Sequence, residues 1–126
     1  MEKLIIDGTS TAPEIYLDPI SGLCEISGVS MPEDVKIVYK PVMDWLDEFE
    51  SSDNDKLIFN FRFTYFNTAS AKVVLDILSK LDSFSNSDKF ITINWYYKDG
   101  DRDMEEAAED FADMLEIPIK IHKLQK

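Results

Sequence analysis

Polar side chains cluster at residues 67–70, where an aromatic strand is predicted to pass into a helix. Asn67, Thr68 and Ser70 bring two hydroxyls and one amide to this junction, and Ala69 lies between them. All three are good helix N-caps, because their oxygens accept a hydrogen bond from the free N–H groups of the first turn. The same hydroxyls could instead accept a phosphoryl group, since a helix N-terminus favours an added anion. A structural cap and a modification site both stay open on residue chemistry alone.

The second stretch with chemical potential is the acidic loop DGDRDMEEAAED at residues 99–110. Asp99, Asp101 and Asp103 are spaced as in a calcium loop, but the sixth position is Met104 instead of glycine and the twelfth is not glutamate. A strand instead of a helix is predicted before it. We therefore predict a solvated helix start rich in acidic residues. A metal-dependent enzyme is the less favoured alternative, and no metal or other cofactor is expected.

Cys24 and His122 are the only cysteine and the only histidine. A hydrolase would need a nucleophile paired with a base, and nothing in the sequence brings these two residues together. Cys24 is interpreted as a half-buried strand residue, and His122 falls on the polar side of the last predicted strand. No GxGxxG, Walker or HExxH motif is present. The prediction is a protein without catalytic residues.

The net charge of the chain restricts the classes of molecule that it is expected to bind. Acidic residues outnumber basic ones 25 to 13, which gives a formal net charge of −12. Such a field repels phosphate backbones and anionic lipid, so nucleic acid and membranes are not expected as partners. The acidic runs at 44–55 and 105–110 are either solvated surface or a docking face for a basic partner.

The chain is expected to act in the cytoplasm. One cysteine allows no internal disulfide, which suits a reducing compartment. Only three adjacent apolar residues occur near the N-terminus before charge and turn formers return, so neither a signal peptide nor a membrane span is predicted.

The elements predicted to position these residues are three helices and about six strands. The helical period appears from Pro32 through residue 50, with a kink or break expected at Pro41, from about Ala69 to Leu81, and over 101–115. The predicted strands are KLII (3–6), EIYLD (14–18), LCEIS (23–27), LIFNFRFTYF (57–66), FITINWYY (90–97) and IPIKIHK (117–123). Asp18 and Gly22 belong to a predicted hairpin turn.

The strands alternate between apolar and polar residues, which indicates a sheet covered on one side only. In the fourth strand one face is predicted to hold Phe59, Phe61, Phe63 and Tyr65, and the other Asn60, Arg62 and Thr64. Strand–helix–strand order calls for parallel pairs with right-handed crossovers, which place every helix on the same face. The predicted class is α/β, with a mixed sheet, an N-terminal hairpin and three helices on one face. The polar face is either solvent-facing or a self-association surface.

Four stretches in order carry a family resemblance: GTSTAPEI (8–15), SGVSMPED (27–34), YFNTASAK (65–72) and INWYY (93–97). Together they resemble the SiaC family of bacterial regulatory phosphoproteins, whose members resemble STAS-type anti-sigma-factor antagonists. The resemblance implies one SiaC/STAS-like domain over residues 1–126. It also implies partner switching in cyclic di-GMP signalling: a dedicated kinase phosphorylates a threonine, a PP2C-type phosphatase reverses this, and the unmodified protein activates a diguanylate cyclase.

The resemblance also assigns residues. The phosphorylated threonine follows a Tyr-x-Asn step, and carried onto this sequence it is Thr68. Ser70 is the alternative acceptor, because STAS-type proteins carry a phosphoserine in a comparable turn. The residues expected to contact the kinase or partner are Tyr65, Asn67, Ala69, Ser70 and Lys72. The chain departs from the family pattern at Ala12, Met31 and Ala69. A constitutive acidic scaffold in which Thr68 only caps its helix remains the alternative to a switch.

Overall fold

The computed structural model describes residues 1–125 and consists of one six-stranded sheet with three helices. The strands are β1 (Leu4–Ile6), β2 (Glu14–Leu17), β3 (Leu23–Ser30), β4 (Lys56–Phe66), β5 (Phe90–Lys98) and β6 (Ile119–Leu124). The helices are α1 (Val35–Glu50), α2 (Thr68–Phe84) and α3 (Arg102–Asp113). Every predicted element is present. None of the helices within residues 1–125 is long and apolar enough to cross a membrane.

The strands lie side by side in chain order. β1, β2 and β3 pair antiparallel, whereas β3, β4, β5 and β6 pair parallel. Each parallel connection contains one helix, and all three connections step across the sheet in the same direction. Right-handed crossovers then place all three helices on one face, as predicted from the sequence. The predicted α/β class with an N-terminal hairpin is confirmed.

The turn between β2 and β3 depends on two residues. The Asp18 carboxylate accepts a hydrogen bond from the Ile20 N–H at 3.0 Å. Gly22 has a φ of +80°, and a Cβ there would lie 2.5 Å from the carbonyl oxygen of Lys56. Only glycine fits this close approach, which brings the start of β4 beside β3.

The core lies between the sheet and the helices. Its sheet side is one row of alternate strand residues that are almost fully buried: Ile15, Leu17, Cys24, Ile26, Leu57, Phe59, Phe61, Phe63, Ile93, Trp95 and Ile119. The opposite side carries the polar alternates. This one-sided burial confirms the reading of the alternation as a sheet covered on one face.

Helix α1 differs from its prediction in two ways. It begins at Val35 instead of Pro32, because the Asp34 carboxylate caps it by accepting from the N–H groups of Lys36 and Ile37. It also continues through Pro41 as one helix, so the predicted division there is wrong. Burial of an apolar stripe on both sides of the proline offsets the missing hydrogen bond: Tyr39, Val42, Trp45, Leu46 and Phe49.

Cys24 is 1% exposed, so its prediction as half-buried is wrong. Burial raises the pKa of its thiol to about 12, because the thiolate would lose its hydration. Cys24 faces the helices, whereas His122 lies on the other side of the sheet and contacts Asn94 at 2.9 Å. The sheet separates them, and a nucleophile–base pair does not form.

Candidate phosphorylation site

A β-bulge near the end of β4 determines which side chains before residues 67–70 face the core. Gly28 of β3 is opposite Phe63, but the next residue, Val29, is opposite Tyr65, so Thr64 is an extra residue in β4. Such a bulge reverses which side chains face the core. Tyr65 is therefore 50% exposed, and the prediction that it continues the buried row is wrong.

Phe66 takes the core position instead. Its ring centroid lies 6.1 Å from that of Trp95 and 6.3 Å from that of Phe111. The backbone N–H of the next residue, Asn67, donates to the Ser30 carbonyl at 3.0 Å. The junction is thereby anchored to β3, to β5 and to α3 immediately before its exposed residues.

Asn67 is the N-cap of α2. Its side-chain Oδ1 accepts a hydrogen bond from the backbone N–H of Ser70 at 2.9 Å, and its backbone is extended. Thr68 is the first residue of the helix, and its side chain is exposed. Among residues 1–125, none makes a hydrogen bond to the Thr68 hydroxyl. The amide therefore caps the helix, and the threonine hydroxyl faces solvent.

Ser70 lies in a different environment. It is 0% exposed, and its hydroxyl donates to the Ser30 carbonyl at 2.9 Å and accepts from the Ser30 hydroxyl at 2.8 Å. The Tyr39 hydroxyl lies 2.6 Å from the Ser30 hydroxyl, and since the proton of Ser30 is directed to Ser70, Tyr39 is the donor. Burial raises the pKa of Tyr39 to about 12. In this arrangement Ser70 is structural and a kinase cannot reach its oxygen, which argues against it as the alternative acceptor.

The surroundings of Thr68 favour an anion. It lies at the N-terminus of a 17-residue helix whose first turn contains no acidic residue. Lys72 follows four residues later, is exposed, and therefore lies on the same side of the helix. The free N–H groups, the helix dipole and this ammonium all stabilise negative charge at the Thr68 position.

Of the residues expected to contact partners, Tyr65, Ala69 and Lys72 are exposed and Asn67 is partly exposed. Sequence reasoning missed Ser30 and Tyr39, which fix the junction from below. No local signal could identify them, because Ser30 and Ser70 are 40 residues apart in the chain.

The acidic loop at 99–110 serves as a helix start. Asp101 caps α3, and its Oδ1 accepts from the Met104 N–H at 3.2 Å. Asp103 and Glu105 lie in the first turn, where the helix dipole stabilises them. Within residues 1–125 no three side chains of His, Cys, Asp or Glu come close enough together to hold a metal ion.

A sheet covered on one side, with a free hydroxyl at a helix N-terminus, defines a class of small α/β domain suited to carry a phosphoryl switch. The family model for SiaC family regulatory phosphoproteins matches residues 6–124. An uncharacterized protein of Pseudomonas aeruginosa strain UCBPP-PA14 is 30% identical over 121 residues, covering 96% of each chain. The chain belongs to the SiaC family of regulatory phosphoproteins.

Solved structures of SiaC have the same fold as this chain. Apo-SiaC of P. aeruginosa superposes with a TM-score of 0.88 at 30% identity, covering 97% of this chain and 99% of that one. SiaC bound as activator to the diguanylate cyclase SiaD, also from P. aeruginosa, superposes with a TM-score of 0.90 at 29% identity. That comparison covers 96% of this chain and 99% of the other.

Proposed function

We propose that this protein is a phosphorylation-switched activator of a diguanylate cyclase and is not itself an enzyme. The unmodified form binds and activates the cyclase in the cytoplasm. Phosphorylation of Thr68 by a partner kinase releases it, and a PP2C-type phosphatase restores the active form. The observation that carries this proposal is the exposed Thr68 hydroxyl: Asn67 caps the helix, and no hydrogen bond to the Thr68 hydroxyl is found within residues 1–125.

The phosphoryl group would be tolerated by the fold. It adds about −1.5 to −2 charge at pH 7, at a position where the helix dipole and Lys72 already favour an anion. Because no hydrogen bond to the Thr68 hydroxyl is present within residues 1–125, phosphorylation breaks none there, and we expect the folded state to stay intact. The consequence of phosphorylation therefore falls on whatever packs over this end of α2.

A partner that covers the unmodified Thr68 must remove water from the dianion after phosphorylation. Burying an unpaired charge of this kind costs several kcal/mol, on the order of a thousandfold in affinity. The kinase must reach the same hydroxyl, and the residues flanking it, Tyr65, Ala69 and Lys72, are exposed to meet either protein. Kinase and cyclase therefore compete for one surface.

The test measures cyclic di-GMP synthesis by the diguanylate cyclase of the same host, with and without this protein. Wild type and Thr68→Ala are expected to raise the rate, whereas Thr68→Glu should fail to do so. Ser79→Glu is the matched control, because Ser79 is an exposed serine on the same helix, away from its N-terminus. Equal stimulation by Thr68→Glu and Ser79→Glu would contradict the switch and favour the constitutive scaffold.

A further inference from the structure

The side of the sheet opposite the helices has a charge unlike that of the rest of the molecule. We define this open face by the outward alternates of β2 to β6. Its cationic side chains are Lys56, Arg62, Lys98 and Lys120, and its acidic ones are Glu14 and Glu25. Helix α3, on the other side, holds six acidic residues and one arginine. A chain of net charge −12 thus keeps one net-positive surface.

Arg62 is a cation of the open face that contacts two neighbouring side chains. Its Nε donates to the Glu25 Oε1 at 2.7 Å, and its guanidinium lies 3.8 Å from the ring centroid of Tyr96. Tyr96 in turn stacks on His122, with centroids 4.7 Å apart and ring planes at 18°. The stack and the ion pair hold the guanidinium in one place, while its terminal amino groups remain available to a second acceptor.

A small cleft of about 70 Å³ opens beside Arg62 at the carboxyl ends of the strands, and Thr64, Tyr96 and Lys98 also line it. Asp101 borders it too, but its carboxylate is engaged as the cap of α3. The volume is far below the roughly 300 Å³ and above of small-molecule pockets. The cleft is small enough that a single carboxylate is a suitable occupant, and Arg62 and Lys98 are the cationic residues that line it.

A buried amide on the open face is already hydrogen-bonded. Asn94, only 9% exposed, donates to Asn60 at 2.9 Å and contacts His122 at 2.9 Å through its own oxygen. A partner docking here would thus leave the Asn94 side chain hydrogen-bonded. Arginine and tyrosine held in fixed rotamers are also the residue types that contribute most to interfaces, because little side-chain entropy is lost on binding.

We propose that the open face is a docking surface for an acidic segment of a protein partner, with one carboxylate seated against Arg62 and Lys98. Face-to-face pairing of two copies would bring the same cations together and is disfavoured. Nucleic acid is disfavoured by the net charge of −12. The proposal rests on Arg62 and Lys98 and not on Thr68, so it does not depend on the phosphorylation switch.

The probe is a capped hexaglutamate peptide, added at low ionic strength to the full-length chain labelled with ¹⁵N. Saturable shifts are expected at the amides of Arg62, Thr64, Tyr96 and Lys98. Arg62→Gln should weaken the affinity about tenfold, the loss expected for one charge-assisted hydrogen bond. Lys36→Gln, an equal charge change at an exposed position of α1, should weaken it less than about twofold. Lys98→Gln replaces Arg62→Gln if the latter does not fold.

Several results would overturn the proposal. The absence of saturable shifts would do so, as would shifts located on the helices or equal weakening by Arg62→Gln and Lys36→Gln. Inorganic phosphate that produces the same shifts with equal affinity would reduce the cleft to a small-anion site. Sedimentation of the chain alone tests whether a second copy of it binds the open face. Self-association that depends on Arg62 would mean that the open face binds α3 of another molecule, and the proposal of a different protein partner would be wrong.

Discussion

The side-chain oxygen of Asn67 accepts a hydrogen bond from the backbone N–H of Ser70 at 2.9 Å. From the sequence alone, either Asn67 or Thr68 could cap α2. In the structure the Asn67 amide is the cap, and the neighbouring threonine is not. A phosphoryl group on Thr68 therefore replaces no structural hydrogen bond.

The first prediction compares the two residues by urea denaturation. Asn67→Ala should lower the free energy of unfolding by about 1 kcal/mol, since the Ser70 N–H loses its acceptor. Thr68→Ala should change it by less than about 0.5 kcal/mol, because only an exposed hydroxyl is removed. A loss from Thr68→Ala as large as that from Asn67→Ala would make Thr68 the effective cap.

A second prediction concerns the buried hydroxyls of Tyr39, Ser30 and Ser70, each of which donates to the next group. Ser70→Ala leaves the Ser30 proton in the core without its 2.8 Å acceptor. It should lower the free energy of unfolding by about 1–3 kcal/mol, as expected for an unsatisfied buried donor. Ser79→Ala, at an exposed site on the same helix, is the control and should be nearly neutral. If Ser70→Ala were as stable as its control, the chain of hydroxyls would contribute nothing.

The alternation in β4 predicted the buried Phe59, Phe61 and Phe63 from the sequence, because the period of two is a local property of a strand. The exchange of Tyr65 for Phe66 could not be predicted, since the extra residue at Thr64 arises from pairing with Gly28 and Val29 of β3. Beyond a bulge, the neighbouring strand determines which side chains face the core. The sequence of one strand does not contain this information.

The geometry of the candidate phosphorylation site was also only partly predictable from the sequence. Residue types restricted the cap to Asn67, Thr68 and Ser70, and they restricted the phosphoryl acceptor to the two hydroxyls of Thr68 and Ser70. Burial distinguishes them: the Ser70 hydroxyl points to Ser30, 40 residues earlier, and Thr68 points to solvent. Long-range contacts of this kind leave no trace in the local pattern.

The third prediction concerns Lys89, whose ammonium donates to three carbonyls at the end of α1 and in the loop between α1 and β4. These are Phe49 at 3.0 Å, Ser52 at 2.8 Å and Asn54 at 2.6 Å. The ammonium also lies 4.6 Å from the ring centroid of Phe49. Lys89→Met keeps the apolar stem but removes every donor, and should lower the free energy of unfolding by about 1.5–3 kcal/mol.

Thermal unfolding monitored by circular dichroism measures this effect, with Lys36→Met as the control for removing an exposed lysine. Lys89 is partly buried and makes three hydrogen bonds, whereas Lys36 is exposed, so the loss should exceed that of the control. Equal melting temperatures for the two variants would show that solvent replaces Lys89 without cost.

The last prediction is a loss of stability in alkaline solution. Burial raises the pKa of Cys24 from 9.0 to about 12 and the pKa of Tyr39 from 10.0 to about 12. Above pH 9 the unfolded chain releases protons that the folded chain still holds, so the free energy of unfolding falls as pH rises. Each group contributes a slope of up to about 1.4 kcal/mol per pH unit between its two pKa values. Urea titrations at pH 8, 9, 10 and 11 measure the slope, which Cys24→Ala should reduce between pH 9 and 10. An unchanged slope in that variant would mean that the thiol titrates equally in both states and is not buried in solution.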